Sequence, residues 1–288
     1  MEALEPTGPN AEQIKFWNDA RATRWVALQE RIDGHIGPLG LRAMDAAAIA
    51  PGERVLDVGC GCGSTTLEIA RRVGPSGAVI GLDISAAQLH RARQRACDAG
   101  VMHAQFESAD AQTHRLPPHS FDALFSRFGV MFFSDPQSAF ANLRAGVRPG
   151  GRLGFVCWQG LKQNPWALVP LMAAAQHVPR PPPPAPGAPG PFAFADADRV
   201  RSLLSGAGFE RVQLEAVETA LTVGGGGDLD QAVDFAMQVG PTGGVVSEAD
   251  APTRAKVAGA VREALIPFQT ADGVKMQAAA WIVTARRP

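Results

Sequence analysis

The stretch Arg54-Val-Leu-Asp57-Val-Gly59-Cys-Gly61-Cys-Gly63 decides the fold. Arg54 to Val58 read as one short buried strand, and three glycines follow at alternate positions. Glycines there let the backbone turn tightly and approach a ligand closely, as a side chain would not. From Ser64 to Val73 the spacing predicts a helix with Ser64 as its cap. Downstream the unit repeats. Ala78 to Leu82 is a second strand ending on Asp83, and Ser85 to Ala99 is a helix with Leu89, Ala92 and Ala96 inward. His90, Arg91, Arg93 and Arg95 then fall on a solvated face. Gln105 to Ser108 is a third strand ending near Asp110, and Phe121 to Phe125 a fourth, after the turn Leu116–Ser120. A helix over 136–146 and a turn at Arg148–Gly151 lead into a fifth strand, Arg152 to Trp158. Strands alternating with helices predict a parallel sheet.

The flanks depart from this alternation. Upstream, Ile14, Trp17, Trp25, Leu28 and Ile32 recur at helical spacing over residues 11–33, and a second short helix is expected over 38–50. After Gln159 come an apolar helix, Trp166 to Val178, and a tract at 179–191 whose eight prolines predict extended polyproline-like chain. A helix over 196–205, a strand over 211–223, helices over 228–240 and 248–266, and an apolar strand over 278–284 follow.

The composition bounds the function. Of 288 residues, 46% are hydrophobic and 19% charged, with a net charge of −1. A nucleic-acid binder needs a basic surplus, so that class is not expected. No basic and apolar leader marks the N-terminus, and the longest apolar run, Pro165 to Ala175, is too short to span a bilayer; a cytoplasmic protein without membrane contact is expected. Cys60-x-Cys62 is too tight for the usual zinc pair, so no metal site is expected, and the four cysteines read as free thiols. Tyrosine is absent, which leaves His, Asp, Glu, Cys, Ser or Thr for any base or hydroxyl donor.

Chemistry-bearing residues gather where strands end. Ligands of an open α/β sheet bind outside the carboxyl ends of the strands, and Asp57, Gly59, Gly61, Gly63, Asp83 and Asp110 all sit there. Asp83 stands where a carboxylate accepts from both hydroxyls of a ribose; Asp110 is placed to accept from an adenine amino group. The loop reads G-x-G-x-G rather than the dinucleotide G-x-G-x-x-G, and Asp57 two residues before it would repel a pyrophosphate. A carboxylate there suits an ammonium and a sulfonium, which favours S-adenosylmethionine over NAD; bracing of the loop is the competing role for Asp57.

These segments, together with Ser-Ala-Asp110-Ala, Ser-Phe-Asp122-Ala and Leu-Arg-Ala-Gly-Val-Arg-Pro149-Gly-Gly151, resemble the ordered motifs of class I S-adenosylmethionine-dependent methyltransferases. Their flavour is similar to the ubiquinone/menaquinone-biosynthesis branch. The resemblance covers roughly 50–158 and departs at Cys62, where the family usually carries a small hydroxyl residue. It implies a doubly wound, mostly parallel, seven-stranded α/β sheet with an N-terminal helical segment and helical cap insertions. The expected organisation is a helical lid over 1–50, a cofactor-binding core over 51–158, a cap with the Pro-rich tract over 159–210, and the last two strands with a second lid over 211–288.

The resemblance also implies roles. Asp57, Gly59, Cys60, Gly61 and Gly63 would contact the methionine portion, and Asp83 the ribose, with Ile84 and Gln88 beside the nucleoside. Asp110 and Ala111 would hold the adenine, with the Ser126 carbonyl on its amino group. Trp17 would close over the methionine end or staple the first helix to the sheet. A sulfonium is a good leaving group, so alignment and water exclusion supply most of the catalysis, and a base is needed only for a protonated nucleophile. His35, expected in the loop after the first helix, is the candidate base, with a surface or capping role as its rival. Arg127, Phe128, Met131, Trp158 and Trp166 are expected to line an apolar substrate pocket, with core packing as the alternative for the aromatics. The acceptor expected is a small apolar or aromatic molecule. An NAD-dependent oxidoreductase and a cofactor-binding module without transferase activity are the alternatives.

Overall fold

The computed structural model describes residues 3–179, 185 and 187–288. Among the described residues there are eight strands: β1 (Arg54–Val58), β2 (Ala78–Asp83), β3 (Ala104–Ser108), β4 (Phe121–Arg127), β5 (Val147–Trp158), β6 (Glu210–Thr222), β7 (Gln269–Thr270) and β8 (Gly273–Arg286). Seven lie in the order β3-β2-β1-β4-β5-β8-β6, and the two-residue β7 pairs with the start of β8. The expected seven-stranded sheet therefore carries one extra, very short strand.

Strands β1 to β5 run parallel, and β8 enters antiparallel between β5 and β6. Helices cover both faces, so the inner strands are apolar almost throughout: Val55, Leu56, Ala123, Leu124, Phe125, Phe155 and Val156 are fully buried. The strand order reverses between β1 and β4, and at such a switch point the crossovers diverge and leave a crevice at the strands' carboxyl ends.

The N-terminal segment forms three helices rather than the expected two: α1 (Ala11–Asn18), α2 (Ala20–Ala27) and α3 (Gln29–Ala46). α1 stops because the Asn18 side chain is drawn onto the sheet, donating to the Ile84 carbonyl at 2.8 Å and accepting from the Ala86 N–H at 3.0 Å. α3 runs straight through Gly34, Gly37 and Pro38, where a loop was expected. Two of its glycines are points of close approach: a Cβ on Gly34 would lie 2.8 Å from Gly225 Cα, and one on Gly40 2.7 Å from Arg127 Cδ. Tertiary contact here outweighs the poor helix propensity of glycine.

Smaller differences have local causes. Gly63, at φ +80°, is the N-cap of helix Ser64–Val73, so Ser64 is its first residue and not its cap. The turn at Arg148–Gly151 is absorbed into β5 as a register shift against β4. The apolar cap helix ends at Ala174, and β8 is longer than the apolar segment 278–284. The helix expected over 228–240 ends at Ala236, and a short helix, Gly240–Val246, follows it. The polyproline reading of 179–191 falls in part on residues 180–184 and 186, outside the described residues. Among the described residues, no helix is long and apolar enough to cross a membrane.

Candidate active site

One cavity opens at the switch point. Its floor is the glycine loop, held in place because the Gly59 and Cys60 N–H groups both donate to the Leu82 carbonyl, at 2.8 and 3.2 Å. Gly59 and Gly61 take φ of +70° and +54°, the left-handed region that favours glycine. A Cβ on Gly59 would lie 2.9 Å from Gly129 Cα, and one on Gly61 3.0 Å from Gln88 Oε1.

Asp57 lies beneath this floor and does not line the cavity. Its Oδ2 accepts from Thr65 and Thr66 hydroxyls at 2.6 and 2.7 Å, which braces the start of the following helix. Its Oδ1 is buried without a partner, and burial pushes the carboxyl from 3.8 up to about 6 despite the two threonines. Gly63 is also off the wall; its missing side chain makes room for Ala92 and Phe106. Ser126 is buried below the cavity, donating to the Val58 carbonyl at 2.7 Å and accepting from the Gly129 N–H at 3.2 Å. These three of the expected contact residues thus shape the floor from underneath.

Asp83 and Asp110 do reach the wall, with Cys60, Ile84, Gln88 and Ala111. Asp83 accepts from the Gly61 N–H at 2.7 Å and the Ser85 N–H at 2.9 Å, and burial raises its carboxyl above the ordinary value. Asp110 accepts from Asn10 Nδ2 at 3.1 Å and from the Gln112 N–H at 3.0 Å. Asn10 also accepts from the Ser134 hydroxyl at 2.8 Å, so the chain's N-terminal stretch is tied across the mouth. Above them Trp17 meets Trp25 and Phe132 edge-on, each at 5.2 Å. Asn10 carries no sequence signal, since its partners Asp110 and Ser134 lie 100 and 124 residues away.

An ion cluster forms the side of the cavity. Asp33, from α3, pairs with Arg127 at 2.7 Å and Arg95 at 3.2 Å, and accepts from Gln29 at 2.9 Å. Arg95 also donates to the Cys62 carbonyl at 2.9 Å, and Arg93 reaches the Phe106 carbonyl, so the arginines expected on a solvated face in fact bond inward. Asp33 is the functional residue that sequence reading missed most completely, because a lone acid at an exposed-looking helix position carries no mark of its partners. Asp33→Asn is expected to leave the two arginines half-buried without a counter-charge, costing about 2–3 kcal/mol. Thermal unfolding should fall by about 5–10 °C; an unchanged midpoint would contradict this anchoring role.

The far end is aromatic. Phe128 stacks on Trp158 at 4.2 Å, Trp158 meets Trp166 at 5.0 Å, and His35 lies edge-on to Trp166 and Phe235 at 4.9 and 5.3 Å. Phe128 is held at φ +59°, a strained conformation for a bulky residue and one concentrated at functional sites. Met131 and Arg127 also line the wall. His35 sits inside α3 and is 2% exposed, so both the loop placement and a surface role are corrected. Its Nδ1 lies 3.0 Å from the Thr222 carbonyl, its Nε2 has no partner, and burial lowers its pKa to about 4. The thiols are poor nucleophiles: burial pushes Cys62 up to about 12 and Cys60 well above its ordinary value. Among the described residues, no group of three His, Cys, Asp or Glu side chains is placed to hold a metal ion.

Comparison with known proteins finds matches to part of the chain. Residues 55–151 match the family model of the methyltransferase domain. The aklanonic acid methyltransferase DauC of Streptomyces sp. (strain C5) is 36% identical over 118 residues, covering 41% of this chain and 54% of that protein. The ubiquinone/menaquinone biosynthesis C-methyltransferase UbiE of Teredinibacter turnerae is 35% identical over 145 residues, covering 50% and 58%. The chain thus spans about half the length of the curated relatives it matches. Among solved structures, the YcgJ protein from Bacillus subtilis shares the fold with a TM-score of 0.58 at 17% identity, over 88% of this chain and 99% of that one.

Proposed function

We propose that this chain, whose residues 55–151 match the methyltransferase-domain model, is a class I S-adenosylmethionine-dependent methyltransferase that moves a methyl group onto a small apolar or aromatic molecule. The observation that carries this reading is a single cavity with two chemically different ends. One end has glycine floor, Asp83 and Asp110; the other has Phe128, Trp158, Trp166 and Phe235.

The residues present fit the cofactor. Gly59 and Gly61 leave a backbone cradle that a Cβ would fill. The Asp57 Oδ1 is an orphaned buried acceptor below that cradle, where an ammonium and a sulfonium gain from negative charge. Among the described residues, the cavity's charged side chains are Asp33, Asp83, Asp110 and Arg127. Arg127 is already paired with Asp33, so no free cation awaits a pyrophosphate and nothing favours NAD.

When bound, S-adenosylmethionine supplies an electrophilic methyl group on a sulfonium, open to in-line attack. The chain's own residues do the rest. Asp83 offers carboxylate oxygens to hydroxyls, Asp110 accepts at the neighbouring strand end, and Ile84 and Gln88 flank the space between. Trp17, Trp25 and Phe132 close one side against water, and the aromatic end holds the acceptor dry and in place. His35, buried and weakly basic, hydrogen-bonds rather than removing protons from weak acids.

Calorimetry on the purified protein should show binding of S-adenosylmethionine and S-adenosylhomocysteine and none of NAD, and labelled methyl should pass to hydroxylated aromatics. NAD binding without sulfonium binding would overturn the assignment. Tight cofactor binding with no turnover on a broad aromatic panel would leave a binding module.

A further inference from the structure

His35 lines the aromatic end of the cavity and carries one unusual atom. Among the described residues that line the cavity, His35 Nε2 is the buried side-chain polar atom without a partner. The tautomer follows from the other nitrogen. A carbonyl only accepts, so the contact from Nδ1 to the Thr222 carbonyl at 3.0 Å puts the proton on Nδ1. In neutral imidazole the remaining nitrogen is then an acceptor. The ring packs edge-on against Trp166 and Phe235, which offer its Nε2 no hydrogen-bond partner. The backbone beneath is fixed by the contact of Gly34 with Gly225. The Trp166 indole N–H, the nearest ring donor, is spent on Asn164 Oδ1 at 3.1 Å.

We infer that His35 is a specificity-determining residue that selects a flat, uncharged acceptor carrying a hydroxyl, whose hydrogen bonds to Nε2 while its rings lie among Phe128, Trp158, Trp166 and Phe235. This deepens the proposed function and rests on its placing the acceptor at the aromatic end. Leaving a buried acceptor unpaired costs about 1–3 kcal/mol, and a ligand hydroxyl removes that cost. Flat rings match the rigid aromatic surfaces. A carboxylate would instead face the Nε2 lone pair, and Arg127 is held by Asp33. Burial keeps the imidazole neutral at pH 7, so it does not become a cation that would reverse this preference.

The test uses 2-naphthol, 2-methoxynaphthalene and 2-naphthoate, with binding measured by calorimetry with and without saturating S-adenosylhomocysteine. The wild-type protein should bind 2-naphthol about 10-fold tighter than the methyl ether, the yield of one buried hydrogen bond, and 2-naphthoate weakest. His35→Phe should reduce the naphthol-to-ether ratio to within about 2-fold, and His35→Gln should restore part of it through its amide oxygen. A merely structural role for His35 would weaken all probes together and leave the ratio unchanged. Equal binding of naphthol and ether by the wild type, a ratio that survives in His35→Phe, 2-naphthoate as the tightest probe, or no binding by any probe would each overturn the inference. If His35→Phe does not fold, the wild-type ranking decides alone. Loss of S-adenosylhomocysteine binding would bring down the methyltransferase reading separately, since the probe ranking is also read without it.

Discussion

Asp83→Ala is expected to lower the affinity for S-adenosylhomocysteine by about 100-fold or more. Two effects add. In the proposed function the carboxylate is the acceptor offered to ligand hydroxyls at the end of β2, and hydrogen bonds to charged groups contribute about 1.5–3 kcal/mol. The same carboxylate holds the Gly61 N–H at 2.7 Å and the Ser85 N–H at 2.9 Å, so its removal also frees the glycine loop. A loss of 100-fold corresponds to about 2.7 kcal/mol, within reach of either effect alone. Asp83→Asn, which keeps an oxygen for one N–H, should fall between the two. Titration calorimetry at pH 7 checks both variants. Affinity within 3-fold of wild type for Asp83→Ala would show that the cofactor lies elsewhere.

Asp57→Asn should make the unliganded protein more stable and its cofactor binding weaker. Burial raises the Asp57 carboxyl from 3.8 to about 6. A group whose pKa is higher folded than unfolded contributes stability that is fully present below the unfolded value and lost as pH rises through the folded one. At pH 8 that loss amounts to about 3 kcal/mol. An amide carries no charge, but its N–H group in place of the unpartnered oxygen returns about 1 kcal/mol of cost, leaving a gain of about 2 kcal/mol. The melting temperature at pH 8 should rise by about 5 °C, and by less at pH 5. His35 runs the other way: its pKa is lowered to about 4, so its contribution is lost as pH falls from 6.5. Wild-type stability alone therefore masks Asp57, and the difference between variant and wild type isolates it. Removing the negative charge beneath the loop should weaken S-adenosylmethionine binding about 10-fold. An unchanged or lower melting temperature at pH 8 would sink the stability half of the expectation.

The parts of the molecule legible in its sequence are those set by neighbours along the chain. The glycine loop, the acids ending β2 and β3, and the β–α alternation all follow from local spacing, and the structure has them there. What escaped depends on distant partners. Gly34, Gly37 and Pro38 look like a helix break, yet α3 passes through them because Gly34 meets Gly225. Asp33 looks solvated until Arg127, 94 residues away, is folded against it. Asp57 and Ser126 belong to motif positions, and only the packed loop shows that both brace its underside. A periodic pattern tells which face of an element is buried; it does not tell what the face is buried against.

α3 carries both Asp33 and His35, and the cavity takes further walls from Asn10, Trp17, Trp166 and Phe235. All six lie outside residues 55–151, the portion that matches the methyltransferase domain. A fragment trimmed to that portion would keep β1 to β4 and the glycine floor while losing these six walls of the cavity. Under the proposed function, two chains alike over that portion would share a reagent yet modify unrelated compounds, and swapping the flanking helices, rather than editing the sheet, would be the route to a new acceptor.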